Sequence, residues 1–257
     1  MKPSSLRARS AGLVAGLSVF LAAGLAQAQP APLRPAADQA FSQPIALILA
    51  LGVASLLPFA FMTLTGFVKI STVLAIVRGA IGAQNVPSNT LIMALSAALT
   101  IVAMAPVGSR IADRAAPFLE PGERDAAGWV IGLVGATREP LRDFLSANGS
   151  EREKKRFFEL ARLSRPEAER QGIGVRDFMV VIPAFIVTEL MEAFALGFAI
   201  YLPFLIIDLV VSNVLLALGM QMMNPTQVSL PFKLLLFVAI DGWGLLAQAL
   251  ITGYRVA

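Results

Sequence analysis

A chain of 257 residues with 56% hydrophobic residues and a mean hydropathy of +0.72 is too apolar for an ordinary soluble domain. It has no cysteine and no histidine, which excludes disulfides, thiolate or imidazole catalysis and any Cys/His metal site, and leaves the redox compartment unread. The formal net charge of +4 is no basic patch: outside residues 108–178 stand only eight basic and five acidic side chains, and inside that segment the signs are dense and balanced, so nucleic-acid binding has little support.

Residues 1–28 read as a secretory signal peptide. Lys2, Arg7 and Arg9 form the positive start, Ala11 to Leu25 the apolar run, and Ala26-Gln27-Ala28 the small-residue cleavage site. The alternative is an uncleaved anchor helix, but the run is shorter than the roughly 20 residues a span takes. Residues 29–44 are a Pro/Ala-rich linker without a core of its own. Residues 45–107 hold the N-terminal apolar helices. Ile45 to Met62 is of membrane length and runs on to Val77, with Lys69 inside the run. Gly52 and Pro58 are tolerated in such helices. Arg78 to Asn89 is a Gly/Asn/Pro turn, and Leu91 to Val107 is a second apolar helix expected to end near Pro106.

Residues 108–178 are the soluble-looking, mixed-charge segment. Ser150 to Arg162 predicts a helix with Ser150 as N-cap and acids in its first turn. Its apolar stripe is Phe157, Phe158, Leu160 and Ala161, followed by Leu163, and its EREKKR run reads as a solvated face. Residues 179–257 are the C-terminal apolar helices. Met179 to Met223 is too long for one span, so it either bends near Pro203 or folds as a hairpin. Phe232 to Thr252 is the last membrane-length helix. No repeat and no strand-like alternation appears. The expected architecture is all-α: an integral membrane protein of long apolar hairpins with a charged helical insertion between its second and third apolar segments. A cleaved leader and four passages place residues 108–178 on the outer, periplasmic side. The positive-inside rule argues the other way but is weak for segments longer than about 60 residues.

Polar residues inside the apolar runs carry the functional signal. Each costs a few kcal/mol in hydrocarbon unless paired or facing a wet interior. Asp208 and Lys233 are expected to pair, within the chain or across subunits; the alternative is an interfacial acid and a snorkelling lysine. Asp241 reads as mid-helix, with a buried partner or a wet interior. Lys69 is available as a partner charge. Glu189 and Glu192 stand three apart on one helix face, as a proton relay or cation site or, preferably, as hydrogen-bonding groups between packed helices. Gly197, Gly219, Gly242 and Gly244 permit close helix approach. No residue is assigned a catalytic, metal or cofactor role.

Three blocks resemble the SctR/FliP family of type III secretion export-apparatus membrane proteins. They are FVKISTVLAIVRGAIGAQNVPSNTL from Phe67, with MAPV at Met104; IPAFIVTELMEAFALGFAIYLPFLIIDLVVSNVLLALGM from Ile182; and SLPFKLLLFVAIDGWGLL from Ser229. Together they cover about half of the chain. VSN at Val211 and SLPFK at Ser229 resemble the injectisome branch; the leader is similar to the flagellar one. The resemblance implies a gate in the bacterial inner membrane, not an enzyme, and no cofactor. It implies a homo-oligomer, five copies in the family, with SctS-like and SctT-like subunits around a helical pore for unfolded protein substrates. It implies that apolar helices of the assembled complex can sit above the bilayer plane. It also implies a gasket at Met220, Gln221, Met222 and Met223, where the family has three consecutive methionines before a proline. Methionine is soft and unbranched, and an apolar constriction blocks ions by dewetting. Here Gln221 interrupts the run and shifts its register; the bland alternative is core filler. The family also has a lysine where this chain has Met191, which leaves a local Glu-Lys pair open. Two other functions compete. An ion-coupled transporter using Glu189, Glu192, Asp208 and Asp241 lacks the two related halves such folds show. An intramembrane aspartyl protease using Asp208 and Asp241 needs two carboxylates brought together.

Overall fold

The computed structural model describes residues 54–83, 86–119 and 126–255, together with residues 48, 51 and 52. The leader and most of the linker expected from the sequence lie outside the described residues. Among these the chain is helical, with no strand. In chain order the helices are α1 (Ala54–Leu64), α2 (Phe67–Ile81), α3 (Asn89–Leu119), α4 (Ala126–Asn148), α5 (Glu151–Leu163), a 3-10 turn (Glu167–Gly172), α6 (Phe178–Ala217), α7 (Pro225–Ala239) and α8 (Gly242–Thr252).

The core forms around α2. Its Ile70, Val73, Leu74 and Val77 repeat at helical spacing and are fully buried. It packs against α3, α6 and α7, and α6 in turn carries α4 and α5. Glycine at position 197 lets α6 press onto α2: a Cβ there would crowd the Ile76 side chain. Helix α2 stops at Gly82, whose φ of 79° is left-handed and whose N–H returns to the Arg78 carbonyl.

Among the described residues two helices, α3 and α6, are long and apolar enough to cross a membrane. Two further pairs pass the same test only as broken spans: α1 with α2, bent by 64°, and α7 with α8, bent by 58°. With 40 residues, α6 is about 60 Å long at 1.5 Å per residue, twice the roughly 30 Å hydrocarbon layer. Large apolar side chains stay exposed along its C-terminal two thirds, from Met191, Phe194 and Phe198 to Ile206, Val210 and Val214, while its first turns are largely buried in the core.

Four expectations change in detail. Helix α3 does not end near Pro106 but runs through it and through Pro117. Its buried stripe of Ile92, Leu99, Ala103 and Val107 continues past the proline, so packing overrides the local stop signal. Within that stripe Ser96 and Thr100 are satisfied by the helix itself, donating to the carbonyls of Ile92 and Ser96. The long third run is one helix, not a hairpin; Phe204, next to Pro203, is buried against Phe237 with ring centroids 6.3 Å apart. The last helix is two, α7 and α8, broken at Ile240 and Asp241. Helix α5 begins where expected, with Ser150 accepting from the Glu153 amide, but its charged run is not wholly solvated. Glu153 and Lys154 turn inward. Lys154 donates to the Ser146 carbonyl at 2.9 Å, while Leu160 and Leu163 of the expected stripe are exposed.

Candidate functional site

Three arrangements gather the polar residues of the apolar helices. The first joins α2 and α6. Lys69 Nζ lies 3.0 Å from Glu189 Oε1 and 2.6 Å from Glu192 Oε2. Glu189 is completely buried, whereas Glu192 is half exposed. Glu189 Oε1 has the Lys69 ammonium at 3.0 Å as its counter-charge, with no well-aligned hydrogen bond. The other oxygen, Oε2, accepts from the Tyr254 hydroxyl at 2.6 Å. The same hydroxyl lies 3.0 Å from the Gly66 carbonyl, and the Tyr254 ring sits 4.4 Å beneath the Lys69 ammonium. A Cβ on Gly66 would collide with that ring, so the break between α1 and α2 must be glycine for the tyrosine to enter. Next along the chain, Arg255 exchanges backbone hydrogen bonds with the Asn148 side chain at 2.9 and 3.0 Å. The tail is thereby fixed to the end of α4.

The second arrangement joins α2, α6 and α7. Lys233 Nζ donates to Asp208 Oδ2 at 2.6 Å and to the Ala80 carbonyl at 3.2 Å. Ser229 Oγ donates to Asp208 Oδ1 at 2.5 Å. Both carboxylate oxygens are therefore engaged, and the ammonium meets one of the last carbonyls of α2, where the helix dipole favours a cation. Lys233 is 3% exposed and Asp208 29%, so the lysine does not snorkel.

The third arrangement is the turn between α6 and α7. Helix α6 ends in a Schellman motif: Gly219 is left-handed with φ of 75°, its N–H returns to Leu216, and the Met220 N–H returns to Leu215 at 2.9 Å. Asn224 then caps α7 by accepting from the Thr226 amide at 3.0 Å, with Pro225 at the first helical position. Between these signals lie Met220, Gln221, Met222 and Met223. All are exposed, Met222 completely. They form no part of the core of the chain.

Asp241 stands apart from all three. It is exposed, adopts φ of 51° and occupies the break between α7 and α8, not a mid-helix position. Hydropathy conceals the break, because the residues on both sides are apolar. Asp208, bonded to Ser229 and Lys233, is not joined to Asp241 as a protease dyad. Among the described residues no cluster of three or more acidic side chains has the spacing to hold a metal ion. Ser229, Tyr254, Gly66 and Asn148 are the participants that sequence reasoning missed. Only Ser229 had a visible signal, one helical turn before Lys233.

The chain matches the FliP family over residues 50–250. It is 42% identical over 209 residues to the pathogenicity-related ORF2 protein of Xanthomonas campestris pv. glycines, covering 81% of this chain and 96% of that one. The hypersensitivity response secretion protein HrcR of Ralstonia nicotianae is 40% identical with the same coverage. The flagellar biosynthetic protein FliP of Pectobacterium carotovorum is 36% identical over 253 residues, covering 97% of this chain and 94% of that one.

Proposed function

The chain belongs to the FliP family, and from that premise we propose that it is a core subunit of a type III secretion export gate. Members of the family are structural membrane proteins of the export apparatus, not enzymes. Several copies, five by family resemblance, assemble with SctS-like and SctT-like subunits in the bacterial inner membrane. Their helices enclose a pore through which unfolded protein substrates leave the cytoplasm. Residues 108–178 face the periplasm. The carrying observation is the exposed methionine turn, rigidly capped on both sides and presented at the tip of the α6–α7 hairpin. Soft side chains brought together from several copies seal a path against ions, then part around an extended chain. The exposed apolar flank of α6, Met191 to Leu216, supports the same reading, since at about 38 Å it is longer than the roughly 30 Å hydrocarbon layer.

The injectisome reading is preferred because relatives named for secretion or translocation reach 38–40% identity over about four fifths of the chain. The alignment with a flagellar relative, which spans 97% of the chain, favours the flagellar export gate as the second reading. An ion-coupled transporter is disfavoured: Glu189 and Asp208 are already neutralised by lysines.

The test is conductance of the complex, co-expressed with its partner subunits, in a planar bilayer. Replacing Met220, Met222 and Met223 together with Ala opens an ion leak while assembly persists. Gln221→Met tightens the seal or leaves it unchanged. Equal conductance of wild type and triple variant in well-assembled complexes would refute the gasket.

A further inference from the structure

Among the described residues, the two arms of the hairpin that presents the methionine turn are joined by side-chain hydrogen bonds at a single polar site, Asp208 with Ser229 and Lys233. Asp208 lies twelve residues before Met220, and Ser229 lies six residues after Met223. Beyond that site the two arms share only apolar surface. A groove lined by Ile207, Val211, Leu215, Val228 and Phe232 runs between them and contains no polar side chain. Apolar contact is non-directional and tolerates sliding, whereas the hydrogen bonds from Ser229 and Lys233 to Asp208 fix distance and angle. The same ammonium bonds the Ala80 carbonyl, and a Cβ added to Gly82 would lie within 4 Å of both the Thr226 and the Lys233 side chains. The root of the hairpin is therefore attached to the C-terminal end of α2, just before the turn that leads to α3.

We infer that Ser229 and Lys233 are positioning residues for the methionine turn: through Asp208 and Ala80 they form a fulcrum that ties the angle of the α6–α7 hairpin to the end of α2. A displacement of the turn after Gly82 is delivered through this fulcrum to the hairpin tip. The helical part of the lever arm, Asp208 to Ala217, is about 14 Å at 1.5 Å per residue, and the turn to Met220 follows it. The inference rests on the gate reading only for its consequence, since the fulcrum itself is a statement about where the turn sits.

The chain has no cysteine, so Met222→Cys introduces a single reporter thiol at the fully exposed position. Its rate of modification by a membrane-impermeant thiol reagent is measured in the assembled complex. Ser229→Ala changes that rate by at least about threefold, because losing one charge-assisted hydrogen bond frees the hairpin root. Ser229→Thr, which keeps the hydroxyl, returns the rate toward the unsubstituted value. An unchanged rate in Ser229→Ala, or a Thr variant that behaves like Ala, overturns the inference. Conductance separates this from the gate reading. Ser229→Ala raises the resting leak, and adds nothing when the three methionines are already Ala, since it acts through them. Additive leaks overturn the fulcrum's action on the gate. A triple-methionine variant without any leak refutes the gasket while the thiol rate still decides the fulcrum.

Discussion

Lys69 and Glu189, on two different helices, meet at 3.0 Å where Glu189 has no exposure at all. A buried carboxylate in this position is tolerable only while its cation is present. Lys69→Met should therefore cost about 3–5 kcal/mol, the usual penalty for breaking one side of a buried pair. The double variant Lys69→Met/Glu189→Gln leaves no unpaired buried charge, since Glu192 is half exposed and is solvated, and should recover most of that loss. Thermal unfolding of the purified complex in mild detergent reads both. Equal destabilisation of single and double variants would show that the pair is not the source of the cost.

Asp208 and Lys233 are unequal partners, which sets an order for their variants. Without Asp208, an ammonium that is 3% exposed keeps only the Ala80 carbonyl. Without Lys233, the 29% exposed carboxylate keeps Ser229 and gains water. Asp208→Ala should consequently destabilise the assembly more than Lys233→Met, by about 1–2 kcal/mol. The opposite order, read as the yield of assembled complex, would mean that capping α2 outweighs neutralising the lysine.

Tyr254→Phe keeps the ring under Lys69 and removes one bond to a buried carboxylate. The expected cost is about 1.5–3 kcal/mol, the range for hydrogen bonds to charged groups. Gly66→Ala should cost more, because the added methyl occupies the space of the ring itself and displaces the whole contact. Limited proteolysis near Arg255 provides the readout: both variants should expose the tail, and Gly66→Ala the more. Similar resistance in wild type and Gly66→Ala would remove the tyrosine from this role.

Acid should loosen the start of α5. Glu151 titrates below its ordinary value of 4.5, first because Lys154 donates a hydrogen bond to it and then because of that lysine's charge. A carboxyl with a depressed folded value contributes stability that is complete above its unfolded value and is lost as the pH falls through the depressed one. Amide exchange in the first turn of α5 should therefore accelerate, relative to Glu151→Gln at the same pH, below about pH 4.5. The group is almost fully exposed, so the effect stays local and small. A constant ratio between the two proteins across that range would contradict it.

How far the sequence was readable depends on how each signal is written. Asp208 and Lys233 each interrupt an apolar run, and a lone charge in such a run calls for a partner, so their pairing could be anticipated. Lys69 was visible for the same reason, yet its choice of Glu189 and Glu192 depends on the packing of α6 on α2, which no local spacing encodes. Tyr254 gave no warning, since a tyrosine at the end of an apolar helix looks like an interface residue. Its role emerges only when the tail returns to Gly66. Asp241 misled because hydropathy measures how apolar a window is and is blind to backbone sign. One left-handed residue splits the window into two helices without altering its average. Proline misled in the opposite direction at Pro106, where the buried stripe of α3 outweighed one missing hydrogen bond. The turn at 218–224 was legible in its ends, Gly219 and Asn224-Pro225. What they hold outward, a wholly exposed Met222, required the fold.

The length of α6 bears on how the protein must be made. A newly synthesised copy has no single environment that suits this helix: roughly 38 Å of exposed apolar flank, from Met191 to Leu216, exceeds the bilayer core of about 30 Å, and water is worse. An orphan copy is consequently a client for chaperones and membrane proteases, and its lifetime ends unless other subunits reach it. Abundance of the chain in the cell then follows the supply of its companions more closely than its own rate of synthesis. Overproducing it alone should yield turnover and inclusion bodies, where balanced co-synthesis yields protein that lasts.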